Sequence, residues 1–188
     1  ISFSNARLDP KAAFGRIAPL VLEIGSGMGE TTAEIARENP QTDFVAIEVH
    51  GPGVGSLLKK IAAFELKNLR VIRHDAVEVL AQMIGDGSLA GIHLFFPDPW
   101  PKKRHHKRRL VQAAFAALAA RKLAAGGYFH AATDWPEYAA QIEEVFSSSS
   151  CFDQELPAQK TRPITKFERR GIGLGNPVRD LLFLRRKE

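Results

Sequence analysis

Five carboxylates stand at comparable places in the sequence: Glu23, Glu48, Asp75, Asp98 and Asp134 each lie in or just after a short apolar run. If those runs are successive strands of a doubly wound sheet, all five reach the edge where such sheets bind ligands. Capping accounts for some of them singly. Asp75 with Glu78, and Asp134 with Glu137, have the spacing of a helix-capping box, and Asp98 precedes a proline turn. It does not account for the set, because Glu23 precedes a glycine turn and Glu48 leads into His50-Gly51-Pro52 with no cap role of its own.

The glycine turn is Gly25-Ser26-Gly27-Met28-Gly29. A dinucleotide fingerprint needs its third glycine at position 30, which is Glu30, and the G-K-[ST] of a phosphate-binding loop is missing. A pyrophosphate here would face Glu23, Glu30 and Glu48 with no lysine to compensate. Acidic groups around a close-approach turn suit a ligand that is cationic and carries a ribose. S-adenosylmethionine, with its sulfonium and ammonium groups, is such a ligand, and Glu48 stands where a carboxylate accepts ribose hydroxyls. The same carboxylates could hold Mg²⁺, but no phosphate-cradling sequence accompanies them.

Asp98 sits in Phe95-Phe96-Pro97-Asp98-Pro99-Trp100-Pro101, where three prolines fix the backbone. A carboxylate beside an aromatic ring suits a planar base: the carboxylate takes N–H donors and the ring stacks. Trp100 as a core residue under a proline turn is the plainer alternative. Directly afterwards, residues 102–109 hold six cations and two histidines. No Asp or Glu occurs from Pro99 to Thr133, where eight Lys and Arg leave a charge of −3 for the remainder of the net +5. An acidic body with one concentrated basic block is the pattern of a polyanion binder. His105 and His106 are adjacent rather than one helical turn apart and extend that block, while His74 and His93 fall inside expected strands. No metal site is expected.

Alternating elements must position these groups. Expected strands are Leu20–Ile24, 44–49, Leu69–Ile72, 92–96 and 127–132, with a last one within 178–186. Expected helices are Glu30–Glu38, one from Pro52 through Leu66, 76–84, one carrying Leu110, Val111, Ala114, Phe115 and Leu118 on one stripe, and 137–146. Strand–helix alternation argues for a parallel doubly wound α/β sheet in one domain, 1–188. The serines 147–150 read as a turn and 162–175 as a glycine-rich loop. The 188 residues suffice for a full core. The single Cys151 excludes an internal disulfide. No apolar run reaches the 18 residues of a membrane span, and no signal peptide opens the chain. The expectation is a soluble cytoplasmic protein whose start at Ile1 marks a trimmed terminus, with no obligate protein partner evident.

The segments LEIGSGMG (22–29), IEVHGPGVG (47–55), NLRVIRHDA (68–76), LFFPDPWPKKRHHKRRLVQ (94–112), GGYFHAATDW (126–135) and RPITKFERRGIGLG (162–175) resemble the tRNA (guanine-N7)-methyltransferase family over nearly the whole chain. The fourth and sixth are highly specific, whereas the first fits any methyltransferase of this class. The resemblance implies a class I methyltransferase fold: a doubly wound, mostly parallel seven-stranded sheet with helices on both faces. It implies methyl transfer from S-adenosylmethionine to N7 of the variable-loop guanine, position 46, of tRNA. Carried over residue by residue, it implies a donor site from Glu23, Gly25, Gly27, Gly29, Glu48, Asp75, Ala76 and Asp98, with Asp98 also catalytic. It further implies substrate contacts from Lys102, Arg104, His105, His106, Lys107, Arg108, Arg109, Asp134, Thr165, Lys166, Phe167 and Glu168. Asn176 and Arg179 depart from the family's usual histidine and tryptophan near those positions, and the family's N-terminal extension is largely absent. Two other classes stay open on the residues alone: an RNA-binding module that keeps the fold without activity, and an NAD oxidoreductase, which Glu23 and Glu30 disfavour.

Overall fold

A computed structural model describes residues 1–156, 162–163, 168 and 177–187. After a short helix α1 (Pro10–Phe14), the chain alternates β1 (Leu20–Ile24), α2 (Glu30–Glu38), β2 (Asp43–Ile47), α3 (Gly51–Ala63), β3 (Leu69–Ile72), α4 (Ala76–Gln82) and β4 (Leu89–Phe95). A 3-10 turn (Lys103–Arg108) precedes α5 (Ala113–Lys122), β5 (Leu123–Thr133), α6 (Pro136–Ser147), β6 (Phe152–Glu155) and β7 (Arg179–Arg185). The strands form one seven-stranded sheet in the order β3-β2-β1-β4-β5-β7-β6. β1 to β5 are parallel, and β7 runs antiparallel to both β5 and β6.

Local chemistry sets the element ends. Asp75 caps α4 by accepting from the Val77 and Glu78 N–H groups, and Pro52 and Pro136 open α3 and α6 at positions whose N–H would be unpaired anyway. The Asn39 amide donates back to the Ile35 carbonyl where α2 ends. One face of the sheet packs Leu22, Ile24, Ile92, Leu94 and Phe129 under α4, α5 and α6; the other packs Val21, Phe44, Ala46 and Phe95 with α2 and α3. Phe146 of α6 stacks with Phe129 and Phe183 and meets Phe152 edge-on, tying β5, β6 and β7 together.

Several expected elements shift. β4 and β5 begin three and four residues before the expected starts: Leu89 pairs with Leu123, the register then breaks at glycines 126–127 and resumes with Gly91 opposite Tyr128, so the early residues lie beyond an irregularity that reads as a strand end. The α5 stripe is Phe115, Ala116, Ala119 and Ala120; Ala114 is exposed, and Leu110 and Val111 precede the helix. Val111 is nevertheless core, its N–H donating to the Tyr138 hydroxyl. His74 follows β3 rather than lying in it. β6 went unread because, as an edge strand, it buries only Phe152.

Candidate active site

The sheet register aligns the carboxyl ends of the parallel strands. Ile24 pairs with Ile47, Ile47 with Ile72, Ile24 is next to Leu94, and Phe95 is level with Ala132. The glycine turn, Glu48, Asp75, Asp98 and Asp134 therefore leave the sheet at one edge. The strand order reverses between β1 and β4, which is where folds of this kind place a ligand crevice.

On the β1–β3 side the backbone does most of the positioning. Gly25, Gly27 and Gly29 all have positive φ (75°, 55° and 77°), which glycine alone adopts without strain. Gly25 N–H donates to the Ile47 carbonyl (2.8 Å) and Gly27 N–H to Glu48 Oε2 (2.7 Å). Gly53 lies so close beneath that a Cβ there would meet the Gly27 oxygen at 2.4 Å. Above Gly25 and Gly27 a Cβ would meet nothing within 4 Å, so the outer face of the turn is open to a ligand.

Glu48 has the local role that the sequence reading denied it. Besides Gly27 N–H it accepts the N–H of His50, the residue that opens α3 (2.8 Å). A carboxylate offers about four lone-pair sites, so two remain for hydroxyl donors. Glu23 is buried on the α2 face; Oε1 accepts from the Thr32 hydroxyl (2.8 Å), and Oε2 has no hydrogen-bond partner. Burial pushes its pKa up to about 7 against the opposing Thr32 bond. Asp75 is exposed while capping α4, with Ala76 as the helix's first residue. The reciprocal half of its capping box does not form, because Glu78 meets His74 instead.

On the β4–β5 side the backbone is bent. Phe96 and Trp100 flank Asp98 with φ of 52° and 44°, uncommon values for bulky residues. Asp98 is exposed, and Oδ1 accepts from Trp100 N–H (3.1 Å). Trp100 is half-buried between Arg108, whose guanidinium lies 4.9 Å over the ring, and the edge of His105 at 5.9 Å. It is thus neither core nor free. Lys102 precedes the basic 3-10 turn, on which Lys103, Arg104, Lys107 and Arg108 are exposed and His105 and His106 half-buried. Asp134 does not form its expected capping box. Trp135 opens α6 instead and donates its N–H to the Thr133 hydroxyl.

Two residues expected at the substrate surface are placed elsewhere. Arg109 is buried, donating to the Pro99 carbonyl (2.8 Å) and Gln141 (2.7 Å) and lying over Tyr138, so it braces the basic turn from beneath. Glu168 is buried against Arg162 (2.7 Å). Thr165, Lys166, Phe167 and Asn176 fall outside the described residues. Arg179 opens β7 and pairs with Glu143 (3.0 Å). Among the described residues, no group of His, Cys, Asp or Glu could hold a metal ion and no helix is long and apolar enough to cross a membrane.

Sequence reasoning missed a set of groups joined across the sheet. Arg162 binds Asp180 of β7 through two hydrogen bonds (2.7 and 2.9 Å), Asp180 meets His130 of β5 (3.0 Å), and His93 of β4 meets Tyr128 (2.9 Å). Burial holds His93 neutral, its pKa lowered to about 3. Strand pairing brings His93, Tyr128, His130 and Asp180 together, and no spacing in the sequence signals it.

Known proteins resemble this chain in sequence and in fold. A family model described as "Putative methyltransferase" matches residues 17–181. A tRNA (guanine-N(7)-)-methyltransferase of Chromobacterium violaceum is 56% identical over 99% of this chain and 84% of its own length. One of Neisseria meningitidis serogroup A is 57% identical over 98% of this chain and 79% of its own. In fold, the crystal structure of the 16S rRNA methyltransferase KamB matches with a TM-score of 0.66 at 13% identity, over 94% of this chain and 92% of that one. The chain belongs to the tRNA (guanine-N(7)-)-methyltransferase family.

Proposed function

We propose that this protein methylates N7 of guanine in tRNA, at variable-loop position 46, with S-adenosylmethionine as donor. The observation that carries the reading is one continuous edge that runs from an open glycine turn with carboxylates, through Asp98, to the basic 3-10 turn.

The residues fit the donor. The turn leaves open space above Gly25 and Gly27, and the unpartnered Glu23 Oε2 suits an ammonium group. Glu48 keeps lone pairs for ribose hydroxyls and Asp75 stands beside the third strand's end. The donor supplies a methyl group on a positively charged sulfur. Guanine N7 has a free lone pair and no proton, so the chain need not remove one. Its contribution is alignment, together with stabilisation of the positive charge that develops on the purine. Asp98 serves both ends: its carboxylate accepts guanine N–H groups and offsets that charge, with Trp100 beside it as a stacking face. Lys102, Arg104, Lys107 and Arg108 hold RNA phosphates, with His105 and His106 among them and Asp134 flanking the acceptor. Arg109 and Glu168 support this surface from within.

The test is methyl transfer from labelled S-adenosylmethionine to unmodified tRNA, followed by chemical cleavage at N7-methylguanine. Label at a single variable-loop guanine is expected, with a rate at saturating donor that is independent of pH from about 6 to 9. A rate rising log-linearly with pH would make Asp98 a base instead. Donor binding without label would leave the RNA-binding reading.

A further inference from the structure

We infer that Arg162 is a positioning residue for the Asp98 loop. The inference builds on the proposed reaction for its kinetic arm only. The guanidinium of Arg162 is buried and lies over the rings of both Phe95 (5.5 Å) and Phe96 (5.4 Å), the two residues that lead from β4 into Pro97 and Asp98. Its donors are fixed from the other side. Nε and Nη2 bind Asp180 in a fork, and Nη1 binds Glu168 at 2.7 Å.

This arrangement answers a specific need. Phe96 has φ +52°, and a bulky residue holds that conformation only where its surroundings over-determine it. Its N–H is pinned to the Ala132 carbonyl (2.7 Å) and its ring is covered by Arg162. β4, β5 and β7 thereby meet at one cation, and the direction in which the chain leaves β4 toward Asp98 is set by a residue far along the sequence. Two carboxylates neutralise the cation, and Asp180 also takes His130. The set is buried and paired, so it holds one geometry. Lysine cannot replace arginine here, since an ammonium neither spans two rings nor forms the bidentate fork.

Arg162→Lys keeps the charge between Glu168 and Asp180 and is expected to lower kcat about a hundredfold, the scale of a misplacement near 1 Å. Loss of the buried fork should lower the melting temperature, whereas affinity for S-adenosylhomocysteine should stay unchanged. Because the loss passes through Asp98, Asp98→Ala combined with Arg162→Lys should be no slower than Asp98→Ala alone. Phe96→Gly, which accepts the positive φ but lacks the ring, should reproduce the loss and be non-additive with Arg162→Lys. It also serves if the lysine variant fails to fold. In a Trp135→Phe background, acrylamide quenching of Trp100 should rise in both variants, and this reads the loop without any turnover. Additive losses, or unchanged Trp100 quenching in a folded variant, overturn the inference. An inactive parent protein overturns the proposed reaction instead, and quenching still decides the role of Arg162.

Discussion

The two halves of the site edge are built by opposite means. Beyond β1, β2 and β3, backbone N–H groups are held at short range: Gly25 on the Ile47 carbonyl, Gly29 on the Ser26 carbonyl, and Gly27 and His50 on the Glu48 carboxylate. Beyond β4 and β5, long side chains hold the chain: Arg109 donates to the Pro99 carbonyl, Arg108 lies over the Trp100 ring, and Arg162 lies over the rings of Phe95 and Phe96. The first half presents fixed dipoles beside an open face. The second holds two strained residues around an exposed carboxylate, and such strain persists only where neighbours enforce it. The donor half should therefore be vulnerable to added atoms, and the acceptor half to removed ones.

Removal at Asp98 is the sharpest test of the acceptor half. Asp98→Ala should slow methyl transfer by about a thousandfold, the upper range for losing one preorganised electrostatic partner, while donor affinity by calorimetry stays within about twofold. Donor binding that falls in step with rate would erase the division between the halves.

The donor half has its own buried charge. Glu23 has its folded pKa raised from 4.5 to about 7, so the folded state binds a proton more tightly than the unfolded chain. Stability from this group is fully present below about pH 4.5 and is lost as pH rises through about 7. Glu23→Gln keeps an acceptor for the Thr32 hydroxyl and removes that slope. By chemical denaturation at about pH 8 the variant should be more stable than the parent, by up to about 3 kcal/mol. Donor affinity should fall in the same variant. Stability and binding moving together would show that Glu23 is not held for a cationic ligand.

An added atom probes the same half more gently. Gly53→Ala puts a Cβ against the Gly27 oxygen and should cost about 2 kcal/mol, with donor affinity falling about tenfold. Gly55→Ala, two residues on with nothing within 4 Å, should be neutral or stabilising in the same helix. Equal effects at both positions would mean helix propensity, not the turn, is being measured.

The same division explains what could be read from the sequence. The shared edge was legible because consecutive parallel strands place their last residues together, so bringing Glu23, Glu48 and Asp75 to one side needed only the strand–helix alternation. The Asp98 loop was legible as a rigid proline segment, but not its positive φ values. Arg162, Asp180 and His130 were not legible as a group: His130 and Asp180 stand 50 residues apart and meet only through the antiparallel pairing of β5 and β7. Arg109 misled for a related reason, since charge in a basic run says nothing of which members face inward.

That last distinction sets up the smallest expected effect. Replacing Lys102, Arg104 and Lys107 by alanine removes exposed cations, each counting about 0.7 in the log–log salt dependence of binding to RNA of single-stranded character. With about six phosphate contacts in the parent, the slope should relax from near −4 to near −2, while melting temperature holds. Arg109→Ala should do the reverse, lowering the melting temperature because Pro99 and Gln141 lose their donor, with the slope unchanged wherever the fold survives. Filter binding across a salt series, read beside thermal melts, separates the two. If Arg109→Ala also cost a unit of slope, the buried arginine would be turning outward to the RNA. The acceptor half would then be rearranged by its substrate rather than built in advance.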